Sequence, residues 1–144
     1  MVTDKREELG LCLGEVFRYW RTKVNERLLP LGLSQAKWLT LLHLSRCPEG
    51  IIQKDLAYRI GIEGPTLVRL LDRLELDGWV KRKPSKVDRR SNAVYLTPKA
   101  QPTIHKIKKI VSELRQQIFF DIKENELLMC LRVMTKIKSK IESL

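Results

Sequence analysis

The chain has 144 residues, 43% of them hydrophobic, with a formal net charge of +11 at pH 7 and a pI near 9.8. This composition excludes a disordered chain, and the length fits one domain or one module with an oligomerisation element. So basic a balance points to a polyanion, either nucleic acid or an anionic membrane surface, with solubility alone as the bland alternative.

The charge is uneven: residues 1–52 carry net +2, residues 53–100 net +5 and residues 101–144 net +4. Cys12, Cys47 and Cys130 are odd in number and widely separated, so they form neither a disulfide framework nor a metal-ligand spacing, and a reducing cytoplasm is the expected compartment. The N-terminal MVTDKREELG lacks the apolar core of a signal peptide. No apolar run approaches the roughly 18–20 residues that span a bilayer, and a membrane-surface role would need basic and apolar faces on one exposed helix, so no membrane partner is expected.

In chain order, the spacing of Leu9, Leu13, Val16, Phe17, Trp20, Val24 and Leu28 predicts an amphipathic helix over 5–28, stopped by Pro30 and Gly32. Ser34 is a suitable N-cap for a second helix over 35–46. Trp38, Leu39, Leu41, Leu42 and Leu44 nearly encircle that helix, which places it centrally. A Cys47-Pro48-Glu49-Gly50 turn leads to Ile51-Ile52, a candidate short strand. Residues 53–78 read as helix, tight turn, helix. Leu56, Ala57 and Ile60 form the inner face of the first helix, Gly61 supplies the turn, and Pro65 opens the second helix. Leu67, Leu70, Leu71 and Leu74 are that helix's buried stripe. Residues 79–84 and 92–97 pair as a β-hairpin with Val94 and Leu96 inward and Tyr95 outward. Thr97-Pro98 reads as N-cap and first helical residue of a long helix over 98–120, with a seam at Ile104, Ile107, Val111, Leu114 and Ile118. A last helix over 124–143 carries Leu127, Leu131, Met134, Ile137 and Ile141.

The helix-turn-helix pattern over 53–78 carries the functional reading. Small Ala57 allows close helix approach, and the second helix of such a pair can lie in a DNA major groove. Thr66, Arg69 and Arg73 share the face opposite the buried stripe, where an arginine can donate in bidentate fashion to guanine. The alternative is a solvated face with Arg69–Asp72 or Arg73–Asp77 ion pairs. Next comes a strongly cationic hairpin: Lys81, Arg82, Lys83, Lys86, Arg89 and Arg90 fall within ten positions, with Asp88 the only acid among them. A helix-turn-helix followed by such a hairpin is a winged helix, whose tip reaches the neighbouring minor groove, where Lys/Arg replace released counterions. Asp88 is expected to hold the Arg90 guanidinium by a charge-assisted hydrogen bond. Arg90 is assigned to the groove and Arg89 to the sugar-phosphate backbone, an assignment that can be exchanged. Lys83 and Lys86 are expected phosphate contacts.

The segments LPLGLSQAKWLTLLHL (29–44), QKDLAYRIGIEGPTLVRLLDRLELDGWVKR (53–82) and DRRSNAVYLTPKA (88–100), with RYWR (18–21), resemble the MarR family of winged-helix regulators, and most closely its SlyA branch. The resemblance covers nearly the whole chain. It implies a mainly α fold with a small β-hairpin (α+β): a winged helix-turn-helix DNA-binding region at 34–100, and helices at 1–33 and 101–144 forming a dimerisation region. It also implies a homodimer whose first, fifth and sixth helices interlock, binding A·T-rich, roughly palindromic double-stranded DNA in the bacterial nucleoid as a repressor or activator. No cofactor is required. Relatives often respond to small aromatic acids such as salicylate. Trp20, Arg21 and Trp38 suit such a ligand as aromatic walls and a cation. Against this, both tryptophans also suit the core, and Arg21 also suits a phosphate or an acid of the partner chain.

Two further readings stay open: a winged helix used for protein–protein contact, and thiol-based redox sensing through Cys12. Cys12 sits about two positions later than the sensing cysteine of peroxide-responsive relatives. The second helix offers Ala36, Lys37 and Trp38 where those relatives have tyrosines. An enzyme is not expected, because His43 and His105 are the only histidines and neither a Ser-His-acid set nor a glycine-rich phosphate loop is present.

Overall fold

The structure, a computed structural model, describes residues 4–144. Six α-helices and three short strands account for most of the described residues: α1 (Lys5–Leu28), α2 (Gln35–Ser45), β1 (Ile51–Ile52), α3 (Gln53–Ile60), α4 (Gly64–Leu76), β2 (Val80–Pro84), β3 (Asn92–Leu96), α5 (Gln101–Ile118) and α6 (Glu124–Glu142). By its internal contacts the chain divides after Val111, with Ser112–Leu144 as a second compact unit.

The first unit is built around the predicted helix-turn-helix. Asp4 caps α1 by accepting from the Arg6 backbone N–H at 3.0 Å. The helix gives way to a 3₁₀ turn over Leu29–Leu31, ended by Gly32 at φ +70°. Ser34 caps α2 as expected, its hydroxyl accepting from the Lys37 N–H. Asn25 then ties the two helices together. Its carbonyl oxygen accepts from the Trp38 indole N–H at 2.8 Å, and its amide donates to Gln35 Oε1 at 2.8 Å.

The core joins Leu44 of α2, Ile51 of β1, Leu56 and Ala57 of α3, Leu67, Leu71 and Leu74 of α4, and Val80 and Val94 of the sheet. Each large apolar side chain buried there contributes about 1.5–3 kcal/mol relative to exposure. The apolar repeat of α4 therefore dictates which face remains for solvent. Leu70, predicted in the stripe, lies at its half-buried edge. Gly61 makes the turn in the left-handed region at φ +71°, and the Ile62 N–H returns to the Ala57 carbonyl at 3.1 Å.

The predicted hairpin is part of a three-stranded antiparallel sheet in the order β1-β3-β2. Ile51 and Ile52 pair with Val94 and Ala93, and Arg82 lies opposite Val94 in the β2–β3 register. Tyr95 is half-buried rather than simply outward. Its ring closes over Gly50, where a Cβ would stand 2.5 Å from the ring and where φ is +83°.

Two expectations change beyond β3. Thr97 is not a side-chain cap: its hydroxyl donates to the Gly78 carbonyl, and its N–H donates to Trp79 O at 3.0 Å. It thus ties the end of β3 to the turn after α4. Pro98–Ala100 forms a 3₁₀ turn, so α5 starts at Gln101. The α5 seam also serves a different purpose at its start. Ile104 and Ile107 are buried within the single chain, whereas Ile118 is exposed. Large apolar side chains left in water are instead Leu9, Leu13, Val16 and Phe17 on α1, and Leu128, Leu131, Val133 and Ile141 on α6.

Candidate nucleic-acid interface and aromatic cavity

Burial of the Leu67, Leu71 and Leu74 stripe leaves Thr66, Arg69 and Arg73 exposed along the opposite side of α4. Neither arginine has an ion-pair partner among the described residues, so the alternative pairs with Asp72 and Asp77 do not form. Asp72 is engaged elsewhere: its Oδ1 accepts from Arg82 Nη2 at 2.6 Å. Glu75, one turn further along α4, accepts from Arg82 Nη2 at 2.6 Å and from Nε at 2.8 Å.

Arg82 therefore forks across two carboxylates of α4 from the middle of β2. Its side chain is only 20% exposed. Burial lowers its pKa, but hydrogen bonds to Asp72 and Glu75 outweigh burial and raise it above the ordinary arginine value. Arg82 is thus no free member of the cationic run. It neutralises two acids on the helix and fixes the hairpin to it. The sequence carries a weak signal for this, since Asp72 and Glu75 are three apart on one helical face, but their partner on the strand is not locatable from spacing.

The wing, residues 85–91, is organised by hydrogen bonds rather than apolar packing. Buried Ser85 is its hub: its hydroxyl accepts from the Val87 and Asp88 N–H groups at 3.2 and 3.3 Å. Its own N–H donates to Ser91 O at 2.8 Å. Asp88 does not hold the Arg90 guanidinium. Its Oδ1 accepts from the Arg90 backbone N–H at 3.0 Å, and its Oδ2 from the Ser91 hydroxyl. The physical reason is local: an Asx turn satisfies the carboxylate at i+2 through the main chain. The consequence is that Lys86, Arg89 and Arg90 are exposed, with no carboxylate partner among the described residues. Lys83, on β2, lies with its ammonium 5.7 Å from the Tyr95 ring centroid.

Two features of this face escaped the sequence reading. Tyr58 on α3 is 89% exposed, beside exposed Lys54 and Arg59. Lys99 donates to Asp77 O at 2.8 Å, closing the C-terminus of α4.

The first unit also holds a cavity of about 280 Å³, and the structure brings Trp20, Arg21 and Trp38 together there with Leu42, His43 and Arg46. Trp38 is buried and Trp20 half-buried. The Arg21 guanidinium lies 5.2 Å from the Trp38 ring and 5.0 Å from Phe17. Burial lowers the Arg21 pKa. Burial also lowers the His43 pKa, reinforced by the charges of Arg46, Arg59 and Arg21. The apolar pattern of α2 does not show that His43, in its last turn, and Arg46, its C-cap residue, face this cavity. Cys12 lies exposed on α1. Among the described residues, no cluster of metal-ligating side chains is present and no helix is long and apolar enough to cross a membrane.

Comparison with known proteins agrees with this architecture. Residues 31–91, from the turn before α2 through the wing, match the model of the MarR family. The chain is similar to the transcriptional regulator PA3341, with 42% identity over 94% of this chain and 99% of that one, at a TM-score of 0.88. It is similar to a MarR transcriptional regulator from Methanosarcina mazei Go1, with 28% identity over 94% and 99% of the two chains, at 0.77. MarR from E. coli in its apo form is 25% identical over 95% and 98%, at 0.73.

Proposed function

Since the chain belongs to the MarR family of transcriptional regulators, we propose that it acts as a homodimer on A·T-rich, roughly palindromic double-stranded DNA, in the manner of the SlyA branch. In this reading α4 enters the major groove, with Arg69 and Arg73 toward base edges and Thr66 toward a phosphate or a thymine methyl. Arg90 enters the adjacent minor groove, Arg89 meets the sugar-phosphate backbone, and Lys83 and Lys86 meet phosphates. Two-fold symmetry then requires recognition helices about 34 Å apart.

One observation carries the DNA reading. The cations of α4 and of the wing tip are unpaired by protein carboxylates, while the arginine between them is spent on joining the two elements. A winged helix devoted to protein contact has no use for that division. The exposed leucines, valines and phenylalanine of α1 and α6 support the dimer, because apolar patches of this extent on one chain ask for cover.

The cavity supports release by a small aromatic carboxylate such as salicylate, with indole walls and Arg21 as counter-ion. Repression and activation both follow from occupancy of a site, the latter by displacing another DNA-bound protein. Selection of bound duplexes from a random pool, repeated with salicylate, tests the reading. Enrichment of A·T-rich palindromes is expected, with binding weakened by the acid. Recovery of no preferred sequence overturns it. Sedimentation at micromolar concentration is expected to show a dimer, and a stable folded monomer overturns the role given to α1 and α6.

A further inference from the structure

We propose that an aromatic carboxylate entering the α1–α2 cavity draws a proton onto His43, so that effector binding is coupled to pH; this rests on the effector reading above. The cavity is apolar in its walls but cationic in its chemistry. Arg21 comes from α1, His43 from the last turn of α2 and Arg46 from the C-cap that follows it. Arg59 of α3 also acts on His43. Val111, the α5 residue at the cavity, carries no charge, and no carboxylate lines it. His43 lines the cavity, and its imidazole makes no side-chain hydrogen bond among the described residues.

In the free protein the His43 pKa lies below its ordinary value. Partial burial removes the water that would solvate the imidazolium, and three guanidinium groups repel its positive charge. A bound carboxylate reverses the balance. It places a negative charge among the cations, offsets their repulsion, and accepts a hydrogen bond from the imidazolium that a neutral acceptor nitrogen cannot give. The ligand's acid group stays ionised across the range where histidine titrates, so the proton taken up is assigned to the protein. Affinity then strengthens as pH falls through the interval between the depressed value of the free protein and the raised value of the complex. The slope approaches about one proton, or tenfold per pH unit, within that interval.

The experiment uses the full chain and salicylate. Binding is followed by calorimetry and by Trp20/Trp38 fluorescence from about pH 5 to 8. The expected wild-type result is a Kd that falls as pH falls, with a binding heat that differs between phosphate and Tris buffers as a proton is taken up. His43→Gln is expected to bind with a flat pH profile and a buffer-independent heat. Arg21→Gln is expected to bind more weakly at every pH, with a slope that persists over a narrower interval because one of the charges that depress His43 is gone. Salicylamide, which is neutral, is expected to show no slope. A flat wild-type profile with buffer-independent heat overturns the coupling while leaving the effector site standing. A slope that survives in His43→Gln overturns the assignment to this residue. Absence of salicylate binding at every pH overturns both. The wild-type buffer dependence decides the question even if the variants fold poorly.

Discussion

The wing and the α1–α2 cavity are both cationic, yet they are built in opposite ways. At the wing, Lys86, Arg89 and Arg90 stand in water on a frame of main-chain hydrogen bonds around Ser85 and Asp88. In the cavity, Arg21 and His43 are partly desolvated among indole rings and leucines. Exposed charge is weak against any one small anion, because water screens it. It is effective against a polyanion, where each contact releases a counterion. Desolvated charge between aromatic walls suits a single small anion with an apolar body. Equal charge thus serves two ligand classes, and the solvent around it decides which.

Removing a wing cation should give the largest effect. Arg90→Ala is expected to cost about 1–3 kcal/mol of DNA affinity, most on sites with narrow A·T minor grooves. An unchanged binding isotherm on such a site removes Arg90 from the groove. Arg89→Ala run beside it decides which of the two arginines takes that place. Neither change should alter salicylate affinity.

Arg82→Ala probes the joint between recognition helix and wing. Exposed pairs contribute little, but this one is forked and the arginine is largely buried, so a loss of about 1 kcal/mol in folding stability is expected by denaturant titration. DNA affinity should fall as well, since the carboxylates of Asp72 and Glu75 lose their counter-ion on the α4 surface and the wing loses its anchor. Arg82→Lys should rescue only part of either, because an ammonium cannot fork across both acids. DNA binding unaffected by both changes would mean that the wing is held by β-pairing alone.

A smaller effect is expected at the wing lysines. Lys83→Ala or Lys86→Ala should weaken binding to all sequences alike and flatten the slope of log K against log salt by about one each. A sequence-dependent loss at either position would move it from the phosphates to a base edge.

How far the sequence reveals this arrangement depends on the range of the interaction involved. The order of the helices, the Gly61 turn and most of the α4 stripe follow from spacing of a few residues and appear where the pattern puts them, whereas α5 begins three residues late and Leu70 falls at the stripe's edge. The separation of Arg69 and Arg73 from the buried stripe follows in the same way. Asp88 was misjudged because its two candidate partners, the Arg90 side chain and the Arg90 backbone, lie equally near in sequence, and only the turn geometry decides between them. Arg82 looked like one more cation of the run because its partners lie seven and ten residues back on another element. Thr97 looked like a cap because Thr-Pro often is one, yet its hydroxyl found a carbonyl nineteen residues away. His43 and Arg46 at the cavity were hidden for a like reason: helical periodicity marks what is apolar and does not say which polar residue faces a void.

The cavity also leaves a trace in stability, without any ligand. The pKa of His43 is lowered on folding, so between its folded value and the unfolded value near 6.5 the unfolded chain binds more protons than the native one. Stability is therefore undiminished above about pH 6.5 and declines as pH falls through the depressed folded value, where the native state must accept a charge among Arg46, Arg59 and Arg21. His43 is half-buried and still reached by solvent, which screens the neighbouring charges, so the component is small. Paired denaturant titrations of the wild type and His43→Gln between about pH 5 and 8 isolate it. Their difference should be constant above the unfolded value and shift in favour of His43→Gln below it. A difference of opposite sign would place a carboxylate near the imidazole and end the view of this cavity as a desolvated cationic counterpart to the wing.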